Sequence, residues 1–499
     1  MTEIIKLNEK NLLFLPGQVA IPGYERSKIK AGIAHIGVGA FHRSHEAVYT
    51  DKVLHHKGNN GWGICGIGLL EKDIEICNVL SEQDGLYTLM IAGSDGNQTA
   101  NVIGSIVECL YAPDNPDAVI EKLATPDIRL ISLTITEGGY NFNASTGEFQ
   151  MDEPLIQWDL KNPGSPRTVF GYITQALKRR RNRGIPGLTI QSCDNIQKNG
   201  DMLRKMLFAY VEEAEPGLTD WIKSHITFPN SMVDRITPAT TSSDVEYLRS
   251  QFGIQDSWPV ICEPFSQWVV EDNFSNGRPP WELAGVHFVS DVSPFEKMKI
   301  RLLNAGHSLL GLTGALCGYS YIHDIVHDRL FSGFLQEFME NEVTPVLDPV
   351  PGIDLNSYKA NLLKRFGNPR IKDRVERICL QSSAKLPKFL FPTIKEQLEA
   401  GGPVECSALI VAAWCKYSEG YDESGNKITI EDEMKEILQE RALQSHNDPL
   451  SFLRVDSLFG DLIKSERFTG AYTEALKNLY QSGIVECLKR RFASECSDL

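Results

Sequence analysis

The sequence predicts an α/β domain over residues 1–290 and a mainly α-helical domain over residues 291–499. Short apolar runs alternate with helical stretches through the first part, which is typical of a largely parallel sheet. From about residue 295 the apolar residues recur at helical spacing instead. A chain of 499 residues is also long for one core, which suggests two or three domains. We place the boundary near residue 290, after the turn-rich stretch EDNFSNGRPPWE.

Five apolar runs of the first domain are the predicted strands. They are IAHIGVG at 33–39, WGICGIG at 62–68, RLISLTIT at 129–136, GLTIQSC at 187–193 and ITFPNSMV at 226–233. Several of these runs end in glycine or polar residues, which are Gly37, Gly39, Glu137, Asn195 and Asp234. In open α/β sheets, ligands bind beyond the carboxyl ends of the strands. The sequence therefore predicts a ligand crevice at this edge of the sheet.

Composition and charge exclude several classes of protein. The net charge of −15 argues against a nucleic-acid or anionic-membrane partner, since both need a basic face. No uncharged apolar run reaches the roughly 18 residues of a membrane-spanning helix, and the charged start MTEIIKLNEK is no signal peptide. The 11 cysteines are scattered without a CxxC pair, as expected for reduced thiols. We expect a soluble cytoplasmic protein.

The stretch IAHIGVGAFHRSHEAVYTD at 33–51 is a candidate dinucleotide site. Gly37 and Gly39 follow a strand, and they permit a tight turn and close approach of a pyrophosphate to a helix N-terminus. His42 stands where a third glycine is expected, so an ordinary strand-to-helix turn is the alternative. Phe41, His42 and Arg43 could add stacking or phosphate contacts, or could be packing and surface residues.

An acid is expected after the second strand, where it would bind the adenosine ribose. Glu71 and Asp73 lie there, and Asp73 is the candidate. An ordinary exposed turn acid is the alternative. Lys72 could meet the 2′-phosphate of NADP, so the residues leave the choice between NAD and NADP open.

The helical stretch EKMKIRLLNAGH at 296–307 carries polar residues on an apolar face. A projection at about 100° per residue places Lys299, Asn304 and His307 on the same arc as the leucines. Arg301 and Ser308 fall on the opposite side, which we expect to face solvent. The three inward groups either satisfy buried backbone groups or form a reaction site.

The types of these residues favour alcohol oxidation over other chemistry. No HExxH, convincing zinc spacing, GxSxG or P-loop motif occurs. A buried lysine has its pKa depressed by desolvation and can act as a neutral general base. Asn304 and Asn195 could hydrogen-bond the alcohol oxygen and its developing charge. The sequence therefore predicts a metal-free alcohol dehydrogenase, with Lys299 as its base.

The sequence resembles the polyol-specific long-chain dehydrogenase/reductase family over essentially its whole length, and is closest to the mannitol 2-dehydrogenase branch. The matching motifs, in family order, are IAHIGVGAFHRSH, SLTITEGGY, SCDN, MVDRITP, EPFSQWV, KMKIRLLNAGH and SSAKLPKF. The resemblance implies a Rossmann-type N-terminal domain and a mainly helical substrate-binding C-terminal domain. It also implies zinc-independent, NAD(P)-dependent oxidation of a sugar alcohol to a ketose. The expected pair is D-mannitol and D-fructose, and the expected enzyme is a monomer or loose homodimer.

Roles for individual residues follow from the resemblance. Lys299 is the implied base, Asn304 and Asn195 the oxyanion donors and His307 a partner of a substrate hydroxyl. The implied substrate-binding residues are Asp234, Arg377 and Lys385, with Lys388 a further candidate. The resemblance implies that Gly37 and Gly39 hold the pyrophosphate and that Asp73 binds the ribose. Further candidates for the cofactor site are Phe41, His42, Arg43 and Glu137. Glu296 lies about one helical turn before Lys299 and is a candidate relay of its proton to solvent.

Other functions stay open at this point. A hexuronate reductase of the same family, acting on fructuronate or tagaturonate, would need an added cation for the substrate carboxylate. Arabinitol and sorbitol differ from mannitol only in hydroxyl configuration or one carbon. A non-catalytic nucleotide-binding sensor is a rival of another class, and it would consume no cofactor when a ketose is added.

Overall fold

A computed structural model describes residues 4–94, 97–143 and 146–493 of the chain. The chain divides into two compact units, Met1–Ser293 and Pro294–Leu499. Among the described residues, ten cysteines are free thiols, while Cys496 lies outside them. No helix in the described ranges is long and apolar enough to cross a membrane.

The first unit contains strands and helices in alternation. Its strands are β1 Ile5–Lys6, β2 Ala31–Ile36, β3 Gly63–Gly68, β4 Tyr87–Ala92, β5 Gln98–Ile103, β6 Ile106–Tyr111, β7 Leu130–Leu133, β8 Thr189–Ser192, β9 Ser231–Asp234, β10 Ile254–Gln255, β11 Val260–Cys262, β12 Gln267–Glu271 and β13 His287–Val289. Its helices are α1 Ala40–Ser44, α2 Glu46–Leu54, α3 Ile74–Glu82, α4 Pro116–Ala124, α5 Thr136–Gly139, α6 Pro154–Lys161, α7 Val169–Asn182, α8 Asn199–Ala214, α9 Thr219–His225 and α10 Ser242–Phe252.

The central sheet has five parallel strands in the order β6-β3-β2-β7-β8. Strands β3 and β6 extend the sheet on one side of β2, and the chain then returns to add β7 and β8 on the other side. The strand order therefore reverses between β2 and β7. Strand β2 contributes Ala34 and Ile36 to one apolar cluster and Ile33 to another. Burial on both faces explains the nearly continuous apolar runs of the sequence. This is the Rossmann-type arrangement, and the predicted α/β class is confirmed.

The fifth predicted strand, at 226–233, differs from the structure. Only Ser231–Asp234 forms a strand, and it pairs antiparallel with β12 in a second sheet of order β13-β12-β9. Thr227 makes an isolated bridge to Thr189. Pro229 interrupts the run because it has no N–H to donate to a ladder. A third sheet, of order β11-β4-β5, was not predicted, because its strands carry no strong alternation.

The second unit is mainly helical in the part that the structure describes, as predicted. Its α-helices are α11 Ser293–Lys299, α12 Ala305–Leu316, α13 Ile322–His327, α14 Arg329–Glu337, α15 Leu355–Phe366, α16 Val375–Cys379, α17 Ser382–Phe389, α18 Phe391–Ala400, α19 Glu405–Ser418, α20 Lys435–Gln444, α21 Asp456–Phe459 and α22 Glu466–Ala493. There are two π-helical turns among these elements: Ile300–Asn304 lies between α11 and α12, and Phe338–Val343 lies between α14 and the 3-10 helix Thr344–Val346.

Helix α12 lies in the interior of the second unit. All of its side chains are buried, and a Cβ on Gly314 would stand 2.1 Å from Cδ1 of Ile325. Arg301 and Ser308 are also buried, so the expectation that they face solvent is wrong. The helical run is enclosed on every side, and Arg301 is accommodated by an ion pair with Glu396.

Candidate active site

A tight turn follows β2 at the point where the sheet order reverses. Gly37 has a φ of +97°, and a Cβ there would lie 2.1 Å from the Thr134 oxygen, so only glycine fits. A Cβ on Gly39 would meet nothing closer than the Gly37 oxygen at 3.9 Å. The space beside Gly39 is therefore open to a ligand that approaches the backbone closely, such as a pyrophosphate.

A buried polar cluster lies next to this turn. The rings of His35 and His42 stack at 3.4 Å between centroids, and their Nδ1 atoms lie 2.9 and 3.3 Å from Oε2 of Glu46. His35 Nε2 also lies 3.1 Å from the Gly37 oxygen. Burial, followed by the neighbouring His35, lowers the pKa of His42 to about 3. Burial opposes ionisation of Glu46, but hydrogen bonds from both histidines hold its pKa below the usual range.

Within the described residues, His35, His42 and Glu46 form a group of potential metal ligands, and their ligand atoms lie within 4.8 Å of one another. The two rings are inclined by only 14°. Both Nδ1 atoms contact the same oxygen, Oε2 of Glu46. Hydrogen bonds to this shared oxygen account for the arrangement of the two rings.

Phe41, His42 and Arg43 make their contacts inside the first unit. Phe41 stacks on His45 at 4.9 Å between centroids. The Arg43 guanidinium is buried and donates to the Trp258 oxygen at 2.5 Å, and burial lowers its pKa to about 10. These contacts match the alternative in which the three residues are packing residues. A contact between them and the cofactor stays a prediction.

Asp73 lies in the turn after β3. Its Oδ2 accepts from the backbone N–H groups of Leu69 at 3.0 Å and Leu70 at 2.9 Å. The carboxylate is thereby fixed at the end of the second strand, where a ribose-binding acid is expected. Lys72 is exposed beside it.

Asp194 organises the loop that follows β7. It accepts from the N–H groups of Ile135 and Thr136 at 3.0 and 2.9 Å and from the Tyr140 hydroxyl at 2.8 Å. Burial raises the pKa of Asp194, while these three donors lower it. They hold Thr136 at a φ of +60°, which costs energy in a β-branched residue. The next residue, Glu137, is exposed.

Asn199 connects the ends of β8 and β9. Its Nδ2 donates to the oxygens of Asp194 at 3.0 Å and Ser231 at 2.9 Å, and its Oδ1 accepts from the Ser231 N–H at 2.9 Å. This places the exposed Asn195 on a braced loop and the buried Asp234 at the end of β9. Neither Asp194, which was noted only as a polar strand ending, nor Asn199 was assigned a role from the sequence. The motif SCDNIQKNG contains both, but nothing in it distinguishes a bracing amide from a binding one.

The π turn aligns the three inward polar residues of the second unit. The Ala305 N–H bonds the Ile300 oxygen, five residues back. In an α-helix, residues five apart lie about 140° from each other, but in a π turn the five-residue repeat brings them nearly into line. Lys299 and Asn304, five apart, therefore share a face with His307. The three are 5%, 8% and 9% exposed.

Asp373 connects two of the predicted substrate residues. Its Oδ1 accepts from Nε and Nη2 of Arg377 at 2.8 and 2.6 Å, and its Oδ2 lies 3.6 Å from His307 Nε2. The His307 ring packs at 4.2 Å from the Phe366 ring. Asp373 was not predicted, although its spacing of four residues from Arg377 is typical of a helical ion pair.

The remaining predicted residues of this unit differ in burial. Lys385 is half-buried, and its Nζ donates to the Ile378 oxygen at 3.2 Å. Lys388 is exposed on the same helix, and Glu296 is buried one turn before Lys299. The second unit thus brings Glu296, Lys299, Asn304 and His307 onto one helical run, with Arg377 joined to them through Asp373.

Comparisons with known proteins agree along the whole chain. A family model described as mannitol dehydrogenase Rossmann domain matches residues 31–283, and one described as mannitol dehydrogenase C-terminal domain matches residues 291–480. The chain is 45% identical over 497 residues to mannitol 2-dehydrogenase of Neosartorya fischeri, covering 97% of this chain and 99% of that protein. It is 43% identical over 495 residues to the Pyricularia oryzae protein of the same name, with coverages of 97% and 98%.

Two solved structures are similar over nearly their full length. The first is Pseudomonas fluorescens mannitol 2-dehydrogenase in a ternary complex with NAD and D-mannitol, with a TM-score of 0.88, 45% identity and coverages of 98% of this chain and 100% of that one. The second is a D-sorbitol dehydrogenase in substrate-free form, with a TM-score of 0.88, 35% identity and coverages of 96% and 99%. With both halves matched in order by the family models, the chain belongs to the mannitol dehydrogenase family.

Proposed function

We propose that this protein is an NAD-dependent polyol dehydrogenase that interconverts D-mannitol and D-fructose without a metal ion. The observation that carries the proposal is the alignment of Lys299, Asn304 and His307 by the π turn, in a chain of this family. The similar structure with bound NAD and D-mannitol supports the choice of cofactor and substrate.

Oxidation of a secondary alcohol removes a hydride from carbon and a proton from oxygen. Bound NAD would accept the hydride at its nicotinamide ring. Lys299 is buried on the helical run that carries Asn304 and His307, and in this proposal it takes the hydroxyl proton as general base. In the reverse direction the protonated Lys299 donates to the ketose carbonyl oxygen.

The remaining residues bind and orient the substrate in this proposal. Asn304 and Asn195 donate N–H groups to the reacting oxygen, where negative charge develops, and His307 binds a neighbouring hydroxyl. Asp234, Arg377, Lys385 and Lys388 are assigned to the other hydroxyls, and Glu296 to proton exchange between Lys299 and solvent.

The first unit provides the groups that would hold the cofactor. The Gly37 turn and the open space at Gly39 suit a pyrophosphate, Asp73 suits the adenosine ribose, and Glu137 follows β7 beside the strand switch. The exposed Lys72 next to Asp73 could attract a 2′-phosphate, so NADPH is the comparison cofactor in the test.

The contact of Arg377 favours a neutral polyol over a hexuronate. Asp373 accepts two hydrogen bonds from this guanidinium, which offsets the cation that a substrate carboxylate would need. Arabinitol and sorbitol remain second candidates, and the similarity to a D-sorbitol dehydrogenase supports testing the latter.

Further features of the proposal concern location and assembly. The ten described cysteines are free thiols, which supports a reducing compartment such as the cytoplasm. We assign the active form as a monomer or loose homodimer.

Consumption of NADH and NADPH, followed by absorbance, tests the function with fructose, sorbose, xylulose and fructuronate as acceptors. We expect turnover with fructose and NADH. Turnover only with fructuronate would assign the hexuronate reaction, and no turnover with any acceptor would revive the sensor.

Replacement of the base tests the mechanism. Lys299→Ala removes the proton acceptor and should lower kcat by about 10²–10⁴-fold, the range for a lost general base. Lys364→Ala, which removes an exposed lysine of the same unit, is the control and should behave as the wild type. Near-normal turnover by Lys299→Ala would contradict the mechanism.

A further inference from the structure

Two cations on the back of the helix that carries Lys299 share one carboxylate. Lys297 and Arg301 lie four residues apart, on the face opposite Lys299. Both contact Glu396 of α18: Arg301 donates from Nη1 and Nη2 at 2.5 and 2.6 Å, and Lys297 Nζ lies 3.2 Å from Oε2. Lys297 Nζ also lies 3.1 Å from Asp348.

The contact between Arg301 and Glu396 is a bidentate pair with a buried cation. Arg301 is 7% exposed. Hydrogen bonding from Arg301 lowers the pKa of Glu396, with a further lowering by Lys297 and an opposing effect of burial. Two parallel N–H···O bonds fix direction as well as distance, so this pair determines the rotation of the helix about its axis.

Arg301 lies inside the π turn that aligns the polar residues. A π turn contains one residue more than the α-helix around it; such turns are rare and are frequently found at functional sites. If the turn relaxed to an α-helix, the part that follows would rotate by about 100° relative to Lys299. Asn304 and His307 would then leave its face. The turn therefore needs a restraint, and Arg301 connects it to α18.

Helix α18 holds the second π turn as well. Gln397, next to Glu396, donates from Nε2 to the Glu342 oxygen at 2.6 Å. The hydroxyl of Thr344 donates to the Met339 oxygen, five residues back, at 2.6 Å. The two π turns contact each other, so neighbouring side chains of one helix restrain both irregular turns.

We propose that Glu396 is a positioning residue for the reaction, acting through Arg301 and Lys297 to hold the π turn and thereby the directions of Lys299 and Asn304. Glu396 touches neither substrate nor cofactor in this proposal. This role rests on the proposed function of Lys299 and adds a residue that orients the Lys299 side chain.

Two substitutions in the full-length protein test the proposal. Glu396→Gln removes the charge and one acceptor, and Arg301→Lys keeps the charge but cannot form the bidentate pair. We expect kcat for fructose reduction to fall by about 10–100-fold in Glu396→Gln, as for small misplacements of catalytic groups. Arg301→Lys should retain an intermediate kcat, and the KM for NADH should stay unchanged in both.

The matched control is Glu121→Gln. Glu121 of α4 accepts two hydrogen bonds from Arg183, at 2.8 and 2.7 Å, and it also contacts Arg179. One carboxylate again binds two cations, but in the unit that contains neither π turn. Glu121→Gln should lower the thermal midpoint about as much as Glu396→Gln and leave kcat unchanged. If Glu396→Gln does not fold, Glu396→Asp replaces it, because it keeps the charge and shortens the reach.

The outcomes separate this inference from the proposed function. Wild-type kcat in folded Glu396→Gln and Arg301→Lys, with Lys299→Ala inactive, would overturn the positioning role alone. An equal loss of kcat in Glu121→Gln would also overturn it, since the effect would then be general destabilisation. An active Lys299→Ala would contradict the proposed function itself.

Discussion

Asp373 shows how a single carboxylate can organise several neighbours. It lies between Arg377 and His307, and 92% of its surface is out of reach of solvent, while the Arg377 side chain is 56% exposed. A charge held in this way orients a mobile arginine, because a hydrogen bond to a charged partner is stronger than one between neutral groups. Asp373 therefore fixes the direction of the Arg377 guanidinium, which the proposed function assigns to a substrate hydroxyl.

Asp373→Asn should weaken substrate binding more than turnover. The loss of the charge frees Arg377, and we expect the KM for fructose to rise about three- to tenfold, which corresponds to about 1 kcal/mol for a partly exposed pair. Steady-state kinetics measure the change. Glu376→Gln removes a carboxylate of an exposed pair with Arg374 and serves as the control. An unchanged KM in Asp373→Asn would refute the orienting role.

At the scale of single residues, the sequence predicted the inward trio but not its supports. Lys299, Asn304 and His307 stand out because polar groups interrupt an apolar helix face. Asp373, Asp194 and Asn199 do not stand out, since an ordinary solvated Asp or Asn looks the same in a sequence. Their roles depend on partners that lie far away along the chain.

Among the elements, helix α19 begins at an unusual cap. The buried Glu342 accepts from the N–H groups of Cys406 and Ser407 at 2.5 and 2.9 Å. A carboxylate at a helix N-terminus is stabilised by the N–H groups and the dipole. Burial nevertheless raises the pKa of Glu342 to about 7, against the hydrogen bonds from Ser407 and Cys406.

This cap should make stability depend on pH near neutrality. A carboxyl with a higher pKa in the folded chain contributes its full stability below the unfolded pKa of about 4.3. The contribution is lost as the pH rises through about 7. Glu342→Gln cannot titrate, so the stability of the wild type relative to this variant should fall by up to about 3 kcal/mol between about pH 5 and about pH 8.

Denaturant unfolding at several pH values measures this difference. Glu399→Gln, an exposed glutamate on α18, is the control and should show no such trend. A difference between wild type and Glu342→Gln that is constant with pH would show that Glu342 stays ionised throughout.

The π turns mark the limit of prediction at the scale of elements. A projection at 3.6 residues per turn identifies the helix but places Asn304 some 140° from Lys299. In the two π turns the hydrogen bonds span five residues instead of four. The side chains that we propose restrain these turns are Glu396, Gln397 and Thr344, and they lie outside the predicted helix. Periodicity alone contains no signal for them.

For the whole molecule, the class of fold was predictable and the smaller sheets were not. The parallel strands β2, β3, β7 and β8 are buried on both faces and give long apolar runs. Strands such as β11 and β13, of three residues each, are stabilised by pairing with distant segments rather than by their own pattern. The run that contains Pro229 shows the converse, since it is apolar but only a short part of it forms a strand.

Metal removal tests the chemistry of the intact protein. The proposed mechanism assigns the proton transfer to Lys299 and the contacts with the reacting oxygen to Asn304 and Asn195, so we expect no dependence on a bound ion. Dialysis against EDTA should leave kcat unchanged. Activity that is lost on chelation and restored by Zn²⁺ would contradict the proposed metal-free reaction.

The π turn at Ile300–Asn304 also constrains how this chain can vary in length. A side-chain exchange acts locally, but the deletion of one residue between Lys299 and Asn304 would convert the π turn to an α-helix and rotate α12 by about 100°. Such a variant should be inactive, and it should also be less stable, because all the side chains of α12 are buried. At this place the number of residues, more than their kind, is what natural variation has to preserve.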